Sequence, residues 1–216
     1  MTQVSQKNEP DLFLEIGKEQ HSKQDHAVCG DLFLSRRYTE ESRVITILAD
    51  GLGSGIKASV LSTLTASMAA GCVSGNMDIR QTAEVILATL PVCRDRGLAY
   101  STFSIVDTDL ANRQVRVIEH ENPRFLLVRN NRLVNVSPEH IPISSRSISS
   151  RHQELLYSTF ELQEEDRIVL FSDGVTQAGL GQPEKHGTWG AAQAADHVLN
   201  TVHQEPEIAA RHRSAA

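Results

Sequence analysis

The sequence is poor in the features that mark several common classes of protein. It has three cysteines, Cys29, Cys72 and Cys93, and none form a C-x-x-C pair, which excludes a disulfide framework and a cysteine zinc site. The 21 basic residues are outnumbered by 27 acids, so the net charge of -6 excludes nucleic-acid binding through a general positive surface. The N-terminus is too polar for a signal peptide, and no apolar run approaches the roughly 18 residues of a membrane span. We therefore expect a cytoplasmic protein that binds neither membrane nor nucleic acid.

The apolar pattern predicts one folded domain over residues 1–216, with disordered ends at 1–10 and 211–216. Hydrophobic residues make up 40% of the chain, as in ordinary globular proteins. The pattern predicts strands at Leu12–Ile16, Leu32–Ser35, Val44–Ala49, Ser101–Val106, Gln114–Glu119, Phe125–Val128, Leu133–Val136, Glu154–Phe160 and Arg167–Phe171, and helices at Ile56–Cys72, Ile79–Leu90 and Ala191–Val202. Asn130–Asn131, between two of these strands, predicts a type I′ turn, because Asn tolerates a positive φ. In the first helix, an apolar stripe recurs close to the helical period at Val60, Leu61, Leu64, Met68 and Cys72. The order of elements indicates an α+β fold in which antiparallel sheets are covered by helices.

The segment 30–51 is typical of a β-hairpin that brings two acids together. A turn centred at 40–41 would place Asp31 opposite Asp50 at the open end. Directly opposed side chains have Cβ atoms about 4.5–5.5 Å apart, so two carboxylates there repel each other. Such a pair favours a bound cation or a shared proton. The alternative is that the Asp-Gly pair is ordinary turn chemistry and Asp31 an exposed acid at a strand end.

A third acid follows a similar strand. Ile168–Val175 repeats the pattern of Ile45–Leu52, in which an apolar strand ends in Asp-Gly and another hydrophobic residue, so Asp173 corresponds to Asp50. Carboxylates and backbone carbonyls are the hard oxygen ligands that Mg²⁺ or Mn²⁺ prefers. The three acids together could hold two such ions about 3.5–4 Å apart, a geometry that activates water for attack on phosphorus.

Three strings and two shorter segments resemble a known family. The strings are C-G-D at Cys29–Asp31, A-D-G-L-G-S-G at Ala49–Gly55 and F-S-D-G-V at Phe171–Val175, and the segments are Asn122–Phe125 and Ile141–Ser144. In this order they resemble the metal-dependent PPM protein phosphatases of the sporulation stage II protein E type. Among these, the chain looks like the small stressosome feedback phosphatases called RsbX.

The resemblance implies a β-sandwich of two antiparallel sheets flanked by helices, with two Mn²⁺ or Mg²⁺ ions at one end. It implies that Asp50 bridges the ions and that the Gly51 carbonyl binds one of them. Asp173 would serve the first ion and Asp31 the second, which makes Asp31, Asp50 and Asp173 the expected catalytic residues. The implied activity is hydrolysis of phosphoserine or phosphothreonine without a phosphoenzyme. The implied substrates are phosphorylated STAS-domain scaffold proteins of the stressosome, which this reaction resets.

The chain departs from the family pattern at three places. Relatives end in a strand that reads roughly Asp-Asp-[Ile/Met/Leu]-Thr, whose acid completes the first metal site, and no such motif occurs here. Asp196, Glu205 and Glu207 are the candidates to replace it. Glu121 stands where the family has Gly, and His26 stands where larger relatives have a phosphate-binding Arg.

Two alternatives to a phosphatase stay open from the sequence. A catalytically weak or silent module with the same fold could bind the same scaffold, and the missing last acid favours it. An anti-sigma-type serine kinase is suggested by D-G-L-G-S-G. Kinases of that fold place glycines two and four residues after the Asp, whereas here the glycines fall at one, three and five.

Overall fold

A computed structural model describes residues 12–22, 28–90, 92–93, 98–99, 101–143, 154–179 and 189–204. The strands are β1 (Asp31–Tyr38), β2 (Arg43–Gly51), β3 (Val92–Cys93), β4 (Leu98–Ala99), β5 (Ser101–Asp109), β6 (Gln114–His120), β7 (Leu126–Arg129), β8 (Arg132–Val134), β9 (Glu139–Pro142), β10 (Glu154–Glu161) and β11 (Arg167–Val169). The helices are α1 (Gly55–Ser74), α2 (Ile79–Thr89), α3 (Asp173–Thr176) and α4 (Gly190–Gln204). The predicted disordered ends lie outside the described residues.

The strands form two layered antiparallel sheets. The larger sheet has the order β1-β2-β5-β6-β10-β9, the smaller has the order β11-β7-β8, and β3 pairs with β4. On one face of the larger sheet, Ile47, Phe103 and Ile118 pack with residues of α1 and α2. On its other face, Val106 and Val117 pack with residues of the smaller sheet. α4 contacts β8 and α3. The predicted sandwich of antiparallel sheets flanked by helices is therefore confirmed.

One predicted turn is confirmed by the structure, and one predicted strand is not. The Asn130–Asn131 pair joins β7 to β8 with φ values of 50° and 58°, the positive pair that a type I′ turn requires. The strand predicted at Leu12–Ile16 is wrong, because no regular element forms there. Instead, Leu12 packs against the core between the sheets, and the Leu14 carbonyl accepts a hydrogen bond from Arg37. Side chains, not a backbone ladder, hold this segment.

Helix α1 buries its small residues and leaves larger ones outside. Its buried face includes Ala58, Ala66 and Ala69, whereas Ile56 is 74% exposed and Val60 is 60% exposed. The predicted apolar stripe therefore coincides only in part with the buried face of the helix, because Val60 belongs to the stripe but is exposed. Small side chains let the helix backbone lie close to the sheet, and this close approach decides which face is buried.

The backbone of α1 lies very close to the end of β2 at Gly51. Gly51 is buried, and a Cβ atom placed on it would lie 1.9 Å from the carbonyl oxygen of Ala58. That atom belongs to the backbone of α1, so it cannot rotate away. Only glycine fits at position 51 with the helix in this place.

Among the residues that the structure describes, α1 is the one helix long and apolar enough to cross a membrane by length and composition, with a mean hydropathy of 1.3. The helix is not an uninterrupted apolar run, because Lys57 and several serines and threonines lie within it. The helix also lies against β1, β2 and α2, and 44% of its apolar window is buried.

We expect Gly51→Ala to lower the free energy of unfolding by about 3 kcal/mol, because the new methyl group overlaps the backbone of α1. Gly71→Ala is the matched control, since a Cβ there meets nothing within 4 Å. In a helix interior that change stabilises by up to about 1 kcal/mol. Urea unfolding of both variants measures the difference. Equal free energies of unfolding for the two would contradict the close packing at Gly51.

Candidate metal centre

The hairpin of β1 and β2 brings the first two acids face to face. The observed register pairs Asp31 with Asp50, as the sequence predicted, and pairs Phe33 with Leu48 further along. Beyond the two acids, the Gly51 N–H donates to the Gly30 carbonyl at 3.2 Å. Asp31 and Asp50 are therefore a non-hydrogen-bonded pair, the kind in which side chains lie closest together.

The third acid comes from the other sheet. After β11 the chain turns, and Asp173 is the first residue of α3. Burial, together with the charge and hydrogen bonding of the nearby Asp31 and Asp173 carboxyl groups, raises the pKa of Asp50 from 3.8 to about 8. The structure thus brings together all three predicted acids, with Asp50 between the other two.

Two polar side chains hold the outer acids. The Ser172 hydroxyl donates to Asp31 Oδ2 at 2.6 Å, and Gln177 Nε2 donates to Asp173 Oδ2 at 2.9 Å. Sequence reasoning did not identify either residue as part of the site. Ser172 stands in the S-D-G string, but only the folded chain shows that its partner is 141 residues away.

The donor chemistry at the three acids is that of a site for hard divalent cations. Three carboxylates and the backbone at Gly51 supply hard oxygen donors. Within the described part of the chain, no three His, Cys, Asp or Glu side chains are arranged around one point. Instead, Asp50 forms one carboxylate pair with Asp31 and a second pair with Asp173. A cation beside each pair would offset the repulsion that raises the pKa of Asp50.

The same acids line an open cavity. Asp31, Asp50 and Asp173 share it with Trp189 and with His197 of α4, whose rings lie 5.3 Å apart. The candidate site is therefore accessible to a large ligand.

One of the three candidates for the missing last acid, Asp196, lies in the described part of the chain. Asp196 is exposed on α4 and does not line the cavity of the three acids. Glu205 and Glu207 lie outside the described residues, and so does His26. We therefore do not expect Asp196, the one candidate that the structure describes, to bind a metal ion at this site.

The middle motif supports the sheet beside Asp50. Thr102, which faces Asp50 across β2 and β5, donates to Asn122 Oδ1 at 2.5 Å. Asn122 Nδ2 in turn contacts the Ser104 hydroxyl at 3.1 Å. Just before it, Glu121 has a φ of +56°, a left-handed conformation that glycine adopts without strain. The backbone at 121 thus has a conformation that favours glycine, the residue that the resemblance implies at this position.

Next to this loop, a buried ion pair fixes the start of β7. Glu119 is 1% exposed and pairs with Arg124, and its second oxygen accepts from the Phe125 N–H at 2.7 Å. Burial raises the pKa of Glu119, while Arg124 opposes that shift. Arg124 also donates to the Val136 carbonyl at 3.0 Å. The Asn122–Phe125 motif is therefore structural in these contacts.

Comparison with known proteins identifies the family of this chain. The stage II sporulation protein E (SpoIIE) family matches residues 40–213, which is more than half of the chain. The chain belongs to the SpoIIE family. SpoIIE domains are PP2C-type protein phosphatases, a metal-dependent class of hydrolases. No curated protein matches this sequence significantly.

Solved structures show the same fold. RsbX in complex with magnesium is 20% identical with a TM-score of 0.56, over 85% of this chain and 84% of that chain. The phosphatase domain of SpoIIE from Bacillus subtilis is 16% identical with a TM-score of 0.54, over 80% and 69%. The RsbU and RsbW domains of a Mycobacterium tuberculosis protein are 17% identical with a TM-score of 0.59, over 83% and 48%. This SpoIIE-family chain thus spans about half of the length of the last protein.

We expect the metal-free protein to lose stability as the pH rises from about 4 to about 8. Folding raises the pKa of Asp50 from 3.8 to about 8, so the folded state keeps a proton that the unfolded state has released. This contribution to the free energy of unfolding is complete below about pH 4 and absent above about pH 8. Asp50→Asn should flatten the profile and be the more stable protein at high pH. Urea unfolding in EDTA measures this, and identical profiles for the two proteins would contradict it.

We expect Glu121→Gly to raise the free energy of unfolding by about 1 kcal/mol, because glycine removes the strain of a positive φ. Glu161→Gly in β10 is the control. It lies in a strand, where glycine costs roughly 0.5–1 kcal/mol. The urea midpoint at unchanged denaturant slope reports both changes. Destabilisation of similar size in both variants would show that φ at 121 carries no strain.

Proposed function

We propose that this chain is a metal-dependent phosphatase of serine- or threonine-phosphorylated proteins. The observation that carries the proposal is the meeting of three acids at one open cavity. The register of β1 and β2 sets Asp31 against Asp50, and β11 delivers Asp173 to the same place. Membership of the SpoIIE family supports the same reaction class.

In this proposal, the acids hold two Mn²⁺ or Mg²⁺ ions. Asp50 and the Gly51 carbonyl would hold the ions between the outer acids, with Asp173 serving the first ion and Asp31 the second. When bound, such a pair of ions activates a water and neutralises the phosphoryl oxygens. The protein keeps Asp31 and Asp173 in place through Ser172 and Gln177. The open cavity admits the phosphorylated segment of a protein substrate.

The proposed substrates are phosphorylated STAS-domain proteins of a stressosome, acted on in the cytoplasm. The support is the resemblance to RsbX in sequence motifs and fold. Removal of phosphate from the scaffold would reset a stress-signalling complex after its kinase has acted. Partners other than such phosphoproteins are not proposed.

A silent module that binds the same scaffold is the second candidate. The observation that favours it is the position of Asp196, which is exposed and outside the cavity lining. If the first ion has no other acid, it is held by fewer ligands than in relatives. Metal-dependent turnover separates this candidate from the first.

The test is phosphate release from a phosphoserine protein in Mn²⁺, in Mg²⁺ and in EDTA. We expect release with a divalent cation, none in EDTA, and a loss of about a hundredfold or more in Asp50→Asn, which lacks the shared carboxylate. Asp196→Asn is the matched control, and it should keep the wild-type rate because Asp196 lies outside the cavity lining.

Two results would overturn the assignment. Turnover by Asp50→Asn at the wild-type rate would show that the three acids do not hold the ions. No release with either metal from a folded sample that binds the phosphorylated scaffold would instead establish the silent module.

A further inference from the structure

The side chain of Ser172 makes a hydrogen bond between the segment that carries Asp173 and the strand that carries Asp31. Ser172 is 7% exposed, and its hydroxyl lies 2.6 Å from Asp31 Oδ2. The hydroxyl donates and the carboxyl oxygen accepts. An O–H···O bond of this length lies at the short end of the usual range.

The Ser172 hydroxyl does not have the usual role of a serine at the start of a helix. Ser172 is the N-cap residue of α3, and its side chain makes no capping hydrogen bond. Capping of a backbone N–H is the ordinary role of an N-cap serine. Here the hydroxyl reaches across to β1 instead, so its contact is to the acid and not to the helix.

The bond links elements that carry different acids. Asp31 starts β1 of the larger sheet, whereas Ser172 directly precedes Asp173 at the end of the smaller sheet. A carboxylate opposite Asp50 would otherwise rotate away from a like charge. With Oδ2 held by Ser172, the orientation of the Asp31 carboxylate is tied to the backbone that presents Asp173.

We propose that Ser172 is a positioning residue that orients Asp31 as a ligand of the ion shared with Asp50. This inference rests on the proposed function, because it assumes that the three acids bind divalent cations. Hydrogen bonds to a ligating carboxylate typically change metal affinity by 10–100-fold. Ser172 therefore acts on the second ion, and the ion beside Asp173 should be affected much less.

The experiment is Mn²⁺ titration of the full chain by calorimetry, without substrate. We expect wild type to bind two ions, and Ser172→Ala to bind one of them about 10–100-fold more weakly with the other unchanged. Ser172→Thr keeps the hydroxyl and should restore the affinity. Ser158→Ala is the matched control, since it removes a buried hydroxyl that contacts the charged Arg124 and does not line the cavity.

Folding is checked by the melting temperature of each variant in EDTA. Should Ser172→Ala not fold, Ser172→Cys replaces it, because a thiol has nearly the same shape but is a weak donor. The same weakening of one ion is expected there. A general loss of both ions that Ser158→Ala shares would overturn the positioning role.

Failure of this inference and failure of the proposed function give different results. If wild type binds two ions and the serine variant binds both equally well, the role of Ser172 is wrong and the phosphatase proposal stands. If folded wild type binds no Mn²⁺, both are overturned.

Discussion

The repulsion between two carboxylates that the backbone forces to face each other is the constraint on which the site depends. Asp31 and Asp50 cannot separate, because the β1–β2 register that opposes them also orients the apolar residues of both strands. A slip of one residue would relieve the repulsion and move the apolar side chains of a strand to the wrong face. Core packing therefore maintains an electrostatic repulsion between two carboxylates, which a bound cation would offset.

The close approach of α1 to the end of β2 is the second constraint. The turn after Asp50 leads into the helix within a few residues, and Gly51 lets the helix backbone lie directly on the strand end. The helix meets this requirement with alanines on its buried face. Larger residues such as Ile56 are then left on the outside. The small residues on the buried face of α1 are thus explained by the short distance between the helix and the strand end, more than by ordinary amphipathic patterning.

Buried polar contacts connect the site to the rest of the sandwich. Ser172 ties Asp31 to the smaller sheet, and Asn122 ties the strand beside Asp50 to the loop before β7. The pairing of Glu119 with Arg124 secures that loop from the other side. Because each contact spans different strands, the geometry of the three acids depends on the packing of both sheets and not on the hairpin alone.

The sequence by itself determined the local pieces of this protein. Alternation and turn chemistry were enough for the β1–β2 register and the Asn130–Asn131 turn, because both depend on residues close in the chain. The S-D-G string identified Asp173 by its likeness to Asp50. The tertiary structure decided what depends on distant partners: the absence of a strand at Leu12–Ile16, the buried face of α1, and the strain at position 121. It also decided that the hydroxyl next to Asp173 serves Asp31, since no local pattern reports a contact across 141 residues.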